Sequence, residues 1–149
     1  MKTVIISIDK KTLVPLFRSR VYKIAESLAN DENFKTIYNI EHDSSDVLDS
    51  LLSDRYFEKR VINVSNIVAE YILPNPSGEL NQIYLSVPSA SIATSENASN
   101  AASEYILCGM IADWIKDTVP TLLKQYEAAA ISAEEGLKRV IYTKKAPEL

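Results

Sequence analysis

The sequence is poor in the residues on which most enzyme chemistry is built: one histidine, one cysteine and three glycines in 149 residues. A single cysteine makes no internal disulfide, which suits a reducing compartment. The glycines (Gly78, Gly109 and Gly136) are too scattered to write a phosphate cradle or a nucleophile elbow. His42 stands between Glu41 and Asp43, where a surface or capping role is the ordinary one. No group of His, Cys, Asp and Glu has the spacing of metal ligands. Cys108, between Leu107 and Gly109, is expected to behave as a small hydrophobe with a raised pKa. Glu134 and Glu135 are adjacent on a helical face and diverge, so they are not an acid–base pair. The sequence therefore predicts no catalytic residue, no metal, no cofactor and no enzyme.

Long hydrophobic runs are missing too. No stretch approaches the roughly 18 apolar residues of a membrane span, and Thr3–Ile8 is too short for a signal core. A soluble chain without a membrane partner is expected, in which the sequons at Asn63 and Asn97 carry no meaning. The formal net charge of −4 argues against broad binding of polyanions by the whole molecule. At 46% hydrophobic and 24% charged, the chain has the composition of an ordinary globular domain. Residues 1–142 are expected to form a single helical domain, and 143–149 an extended basic tail.

What is present is a strong helical pattern. Ser95–Tyr142 reads as two helices broken at Asp117-Thr118-Val119-Pro120, where proline disfavours α geometry before it and starts a new helix after it. The first helix carries Ala98, Ala101, Tyr105, Cys108, Ala112 and Ile115 on one face. Ile106, Leu107, Met110, Ile111 and Trp114 cover most of the rest, so it must be covered on more than one side. The second is amphipathic, with Leu122, Tyr126, Ala129, Ala133, Leu137 and Val140 as its stripe. So short a link folds the two into an antiparallel hairpin. Tyr105, Trp114, Tyr126 and Leu137 are its expected core anchors.

The earlier chain supplies the cover. Lys2–Ile8 reads as a short strand, at a sheet edge or in a partner's sheet. A helix capped by Asp9 or Thr12 then runs towards Ala29 with Leu13, Phe17, Val21, Ile24 and Leu28 inward. Phe34–Ile40 fits a strand or a turn of helix. Asp43–Asp46 starts a helix expected to reach Ile72, with a possible break near Ser53-Asp54 and a stripe of Phe57, Val61, Val64, Val68 and Tyr71. Pro74 to Gly78 stops it. Leu80–Val87 alternates as a half-buried strand with Ile83, Leu85 and Val87 inward. The fold class is mainly α: a helical bundle built on a long C-terminal antiparallel hairpin, with a few short strands.

Other features point to contacts rather than chemistry, each beside a plainer explanation. Gly109 and Ala112 make a small-residue patch for tight packing or close approach of another backbone. Gly136 inside a helix costs about 1 kcal/mol relative to alanine, which suggests a close contact. Basic residues before Asn30 (Lys10, Lys11, Arg18, Arg20 and Lys23 among them) and acidic ones from Asp31 to Glu58 are either two solvated faces or complementary faces of neighbouring copies. Lys144 and Lys145 complement a helix dipole, or belong to an arm that reaches a neighbouring subunit or the phosphates of a duplex.

Tyr105 through Trp114, the step Tyr126-Glu127-Ala128 and the close Leu137…Ile141-Tyr142-x-Lys144-Lys145-x-Pro147 carry a resemblance. The chain resembles a group of small virion structural proteins of Bacteroidetes phages and prophages. Ile6–Ile24, Glu41–Ile72 and Leu80–Val87 extend the likeness over most of the chain. A second tryptophan near Tyr56-Phe57 is lacking, and the acidic segment Ser44–Asp54 is longer. The resemblance implies a head–tail connector, or neck, subunit: a ring of copies of itself at the portal–tail junction, in the host cytoplasm before assembly and in the virion after it. Portal and tail proteins would be its partners, with weak contact to DNA in the channel. A tail-completion or tail-terminator protein and a cytoplasmic helical adaptor are the alternatives. Lys2, Val4, Ile6, Tyr84, Leu85, Tyr142, Lys144 and Lys145 are the expected subunit-interface residues, the strands joining neighbours by strand addition.

Overall fold

The computed structural model describes residues 1–27, 46–75 and 81–146. Expectations for Phe34–Ile40, His42, the cap at Asp43–Ser45, the turn at Pro76 to Gly78 and the last three residues fall outside them. In chain order come β1 (Lys2–Ser7), α1 (Lys10–Ser27), α2 (Asp46–Ile67), β2 (Gln82–Val87), α3 (Ser95–Thr118) and α4 (Leu123–Tyr142), with short 3-10 turns at Ala69–Tyr71 and Pro120–Leu122. The structure is mainly helical, and α3 and α4 form the expected long hairpin.

The central element is α3. Thr94 caps it reciprocally: its hydroxyl accepts from the Asn97 amide at 3.0 Å, and its own amide donates to Asn97 Oδ1 at 2.7 Å. The helix ends where Pro120 opens the 3-10 turn that leads into α4. From Tyr105 to Ile115 every residue except Cys108 is buried, which is the all-round cover that the sequence predicts. The sheet, α1, α2 and α4 supply that cover from different sides.

Each covering element presents its periodic apolar residues. Asp9, not Thr12, caps α1, its carboxylate accepting from the Lys11 amide at 3.1 Å and the Thr12 hydroxyl at 2.7 Å. Chiefly the Thr12 hydroxyl, and after it the amides of Lys11 and Thr12, hold that carboxyl below its ordinary pKa despite some desolvation. Leu13, Phe17 and Val21 are buried beneath it. Tyr56, Phe57 and Val64 on α2, and Val68 just after it, face the core, and the Phe17 and Tyr56 rings meet edge to face at 6.1 Å. This helix is continuous through Ser53-Asp54 and stops at Ile67, short of the expected Ile72. The chain then tightens into the 3-10 turn, and Ile72 bridges to Leu85, 43% exposed, instead of closing the helical stripe. Lys10 pairs with Asp54 at 2.9 Å, so basic and acidic regions meet here within the chain.

The sheet is a two-stranded antiparallel ribbon registering Val4 with Leu85 and Ile6 with Ile83. Alternation sends Val4, Ile6, Ile83, Leu85 and Val87 onto the core. On α4 the stripe is rotated from the expected one. Ala130, Leu137 and Ile141 are buried, Tyr126, Ala133 and Val140 are half-buried, and Ala129 is exposed.

Candidate functional site

Where α2 crosses α3, a charged cluster is set into the apolar contact. Arg60 lies three residues after Phe57 and four before Val64, so helical periodicity turns it inward with them. Asp113, between Ala112 and Trp114 on α3, is 7% exposed. Arg60 Nε donates to Asp113 Oδ2 at 2.9 Å and Nη2 to Oδ1 at 2.7 Å, a two-pronged pairing, while Nη1 donates to the Tyr105 hydroxyl at 3.1 Å. Lys59 Nζ approaches the same Oδ1 at 3.3 Å from the solvent side. Burial alone would lower the pKa of Arg60, but the bonds to Asp113 and Tyr105 outweigh it and hold the guanidinium above its ordinary value.

Gly109 makes room for this arrangement. A Cβ there would lie 2.5 Å from both Cδ and Nε of Arg60. The glycine thus serves tight packing within the chain, admitting a side chain from α2 rather than a second backbone. Tyr56 adds another polar tie between the same helices, its hydroxyl donating to Asp117 Oδ2 at 2.6 Å. At the far end, the Tyr142 hydroxyl donates to the carbonyl of Ile67 at 2.6 Å and so satisfies a free acceptor at the C-terminus of α2.

The cluster floors a groove between α2 and α4 with openings of about 250 and 500 Å³ on either side of Arg60. Lys59, Lys116, Lys138, Glu127 and Glu134 stand along it. A second groove, on the other flank of α4, has openings of about 560 and 390 Å³ lined mainly by small or apolar groups such as Ala101, Cys108, Ala129, Ala133 and Gly136, with Glu104, Arg20 and Lys23 also along it. Cys108 is half-buried here, less enclosed than its helix suggests. Desolvation, then the Glu104 carboxylate, pushes its thiol up to about 11. No described atom comes within 4 Å of a Cβ placed on Gly136, so the close contact expected of that glycine is not made within the described chain.

Chemically the first groove offers a charge-compensated floor. Both Asp113 oxygens accept from cations, which leaves the carboxylate no poised role as a proton acceptor. Among the described residues no three His, Cys, Asp or Glu side chains gather closely enough to hold a metal ion. No helix of the described residues is long and apolar enough to cross a membrane.

The expected interface residues divide. Val4, Ile6 and Leu85 are 2%, 0% and 0% exposed and belong to the core, because the sheet is completed within the chain. Both sheet edges are capped over much of their length, at Ile5 and Ser7 on β1 and along most of β2, which disfavours strand addition as the joint there. Ser95 Oγ accepts from the Ile5 amide at 3.0 Å and Ser99 Oγ from the Ser7 amide at 2.9 Å, one helical turn apart on α3. On β2 the Leu73 amide donates to Tyr84 O at 2.8 Å and Asn75 Nδ2 to Gln82 O at 3.1 Å. Tyr84 and Tyr142 spend their hydroxyls internally, and Lys2 donates to the carbonyl of Ser91 at 2.8 Å. Lys144 and Lys145 are exposed, yet their backbone is tied to the loop before α3. Of the core anchors, Tyr105, Trp114 and Leu137 are buried and Tyr126 is half-buried.

Arg60 and Asp113 are absent from the sequence-based expectations. Their signal was readable: a carboxylate inside an otherwise apolar helix, and a cation in phase with an apolar stripe. No protein-family model matches the chain, and neither a curated protein nor a solved structure matches it.

Proposed function

We propose that this chain is a non-enzymatic virion structural protein of phage type, a head–tail connector subunit that joins copies of itself into a ring between portal and tail. The observation that carries this reading is the seating of α4. It rests on α3 with a groove open along each flank, and the two flanks differ in chemistry. A ring is closed by a heterologous contact, in which two different faces of each copy meet. One flank offers exposed Ile131 with mixed charges; the other offers a smooth strip at Ala133 and Gly136. With the sheet edges capped at Ile5, Ser7, Gln82 and Tyr84, neighbours join through these helical faces rather than through added strands.

The reading is tested by electron microscopy of portal complexes assembled with and without the chain. A ring of added density with the portal's symmetry is expected. Density with the tail's symmetry supports the tail-completion alternative, and no added density overturns the proposal. A Gly136→Leu variant, whose Cβ meets no described atom within 4 Å and whose longer side chain enters the strip, is expected to fold normally and to fail to join the ring.

A further inference from the structure

The two ends of the chain, remote in sequence, meet on one loop. Lys2 Nζ donates to Ser91 O at 2.8 Å. On the same loop, Ile92 N donates to Thr143 O at 3.1 Å and Lys145 N donates to Ala90 O at 2.7 Å, making Ser91 and Lys144 bridge partners. In that pattern Thr143 O and Lys145 N turn towards the loop, so the N–H and C=O of Lys144 turn away from it. Ser89, Ala90, Lys144 and Lys145 are all exposed. None of Lys2, Lys144 and Lys145 forms an ion pair among the described residues. Arg139, one turn back on α4, adds a fourth cation, and Glu96 in the first turn of α3 is the described acid nearest the loop in sequence.

We propose that this pole is a contact surface for the phosphate backbone of duplex nucleic acid, with Lys2, Lys144 and Lys145 as the phosphate-binding groups and the outward Lys144 amide as a neutral donor beside them. Phosphates are the anions that fit. Lysines on exposed backbone bind as point charges and need no shaped pocket. A protein partner needs buried apolar anchors between its charges. Apart from Met1, the exposed large apolar side chains (Leu16, Tyr22, Ile62, Ile72, Leu73 and Ile131) lie outside the loop and the segment that follows α4. The overall charge of −4 does not oppose this, since binding is governed by the local field where the two ends converge and falls off within a Debye length of about 8–10 Å. The inference goes beyond the ring-assembly reading and stands without it.

The test is fluorescence anisotropy of the full-length chain with a labelled 30-base-pair duplex of arbitrary sequence, titrated with salt upward from about 50 mM. Binding is expected to be weak and insensitive to sequence. Its log–log salt slope is expected to be about −2 to −3, approaching one counterion per contacting lysine. In Lys144→Glu/Lys145→Glu the slope is expected to shrink by about 2 in magnitude. Circular dichroism melting checks that this variant folds, and Lys116→Glu/Lys124→Glu, at the opposite end of the α3–α4 hairpin, makes the same change in net charge away from the pole. The proposal is overturned by absence of binding at the lowest salt, by equal losses in the two double variants, or by tighter binding to anionic vesicles or an acidic peptide than to the duplex. Loss confined to the pole variant supports it.

Discussion

Two glycines, each inside a long helix, mark two ways in which α3 and α4 meet their surroundings. Each carries the same backbone cost of about 1 kcal/mol relative to alanine. At Gly109 the missing side chain is replaced by Arg60 from α2, which crosses so closely that a Cβ would overlap it at 2.5 Å. At Gly136 nothing described lies within 4 Å. On one side of the hairpin a charged, hydrogen-bonded contact is completed within the chain; on the other a small-residue groove stands open. Equal composition thus conceals a closed contact and an unfilled one. The closed contact sets the architecture, and the open one is where a neighbouring copy is proposed to pack.

The largest expected effect breaks the closed side. Asp113→Ala leaves the largely enclosed Arg60 guanidinium beside Tyr105 without its carboxylate, and is expected to cost about 3–5 kcal/mol in denaturant unfolding. Trp114→Ala, an apolar truncation at the neighbouring position, is expected to cost a similar amount, about 3–5 kcal/mol. Next comes Gly109→Ala. Arg60 is anchored at its tip by two bonds to Asp113 and cannot swing away cheaply, so overpacking outweighs the gain in helix propensity, and a net loss of about 1–3 kcal/mol is expected. Gly136→Ala should act in the opposite direction, raising stability by about 0.4–1 kcal/mol because the added methyl meets nothing described. A loss at Gly136, or a gain at Gly109, would collapse the contrast between the two sides. The smallest effect is chemical. With its thiol pushed up to about 11, Cys108 is expected to alkylate more slowly at neutral pH than a free thiol, with a rate still rising above pH 9, which a pH series with iodoacetamide reads directly.

Much of this architecture was legible because it rests on periodic apolar residues. Tyr105 to Ile115 could only be a helix covered on several sides, and the alternation at Ile83, Leu85 and Val87 could only be a half-buried strand. The sheet edges were not legible. Ser95, Ser99 and Asn75 are ordinary polar residues far from the strands they seal, and nothing in their local sequence shows that a backbone amide or carbonyl is their partner. Strand addition at Val4, Ile6 and Leu85 was therefore a reasonable expectation, but it placed core residues at an interface. The rotation of the α4 stripe has a similar origin. Alanines at 129, 130 and 133 carry too little apolar surface to fix the helix phase, and Leu137 with Ile141 decides it. Arg60 and Asp113 were missed as a pair because each, taken singly, is an ordinary charged residue.

The geometry makes the Arg60–Asp113–Tyr105 cluster a packing device, its charges compensated within the α2–α3 contact. The most direct measurement compares denaturant unfolding of the native chain, Asp113→Ala, and a triple variant Arg60→Met/Asp113→Leu/Tyr105→Phe that replaces the whole cluster with apolar side chains. The expected result is a loss of about 3–5 kcal/mol in the single variant and stability within about 1 kcal/mol of native, or above it, in the triple. A single variant that unfolds with the native chain, or a triple variant as unstable as the single, would contradict it.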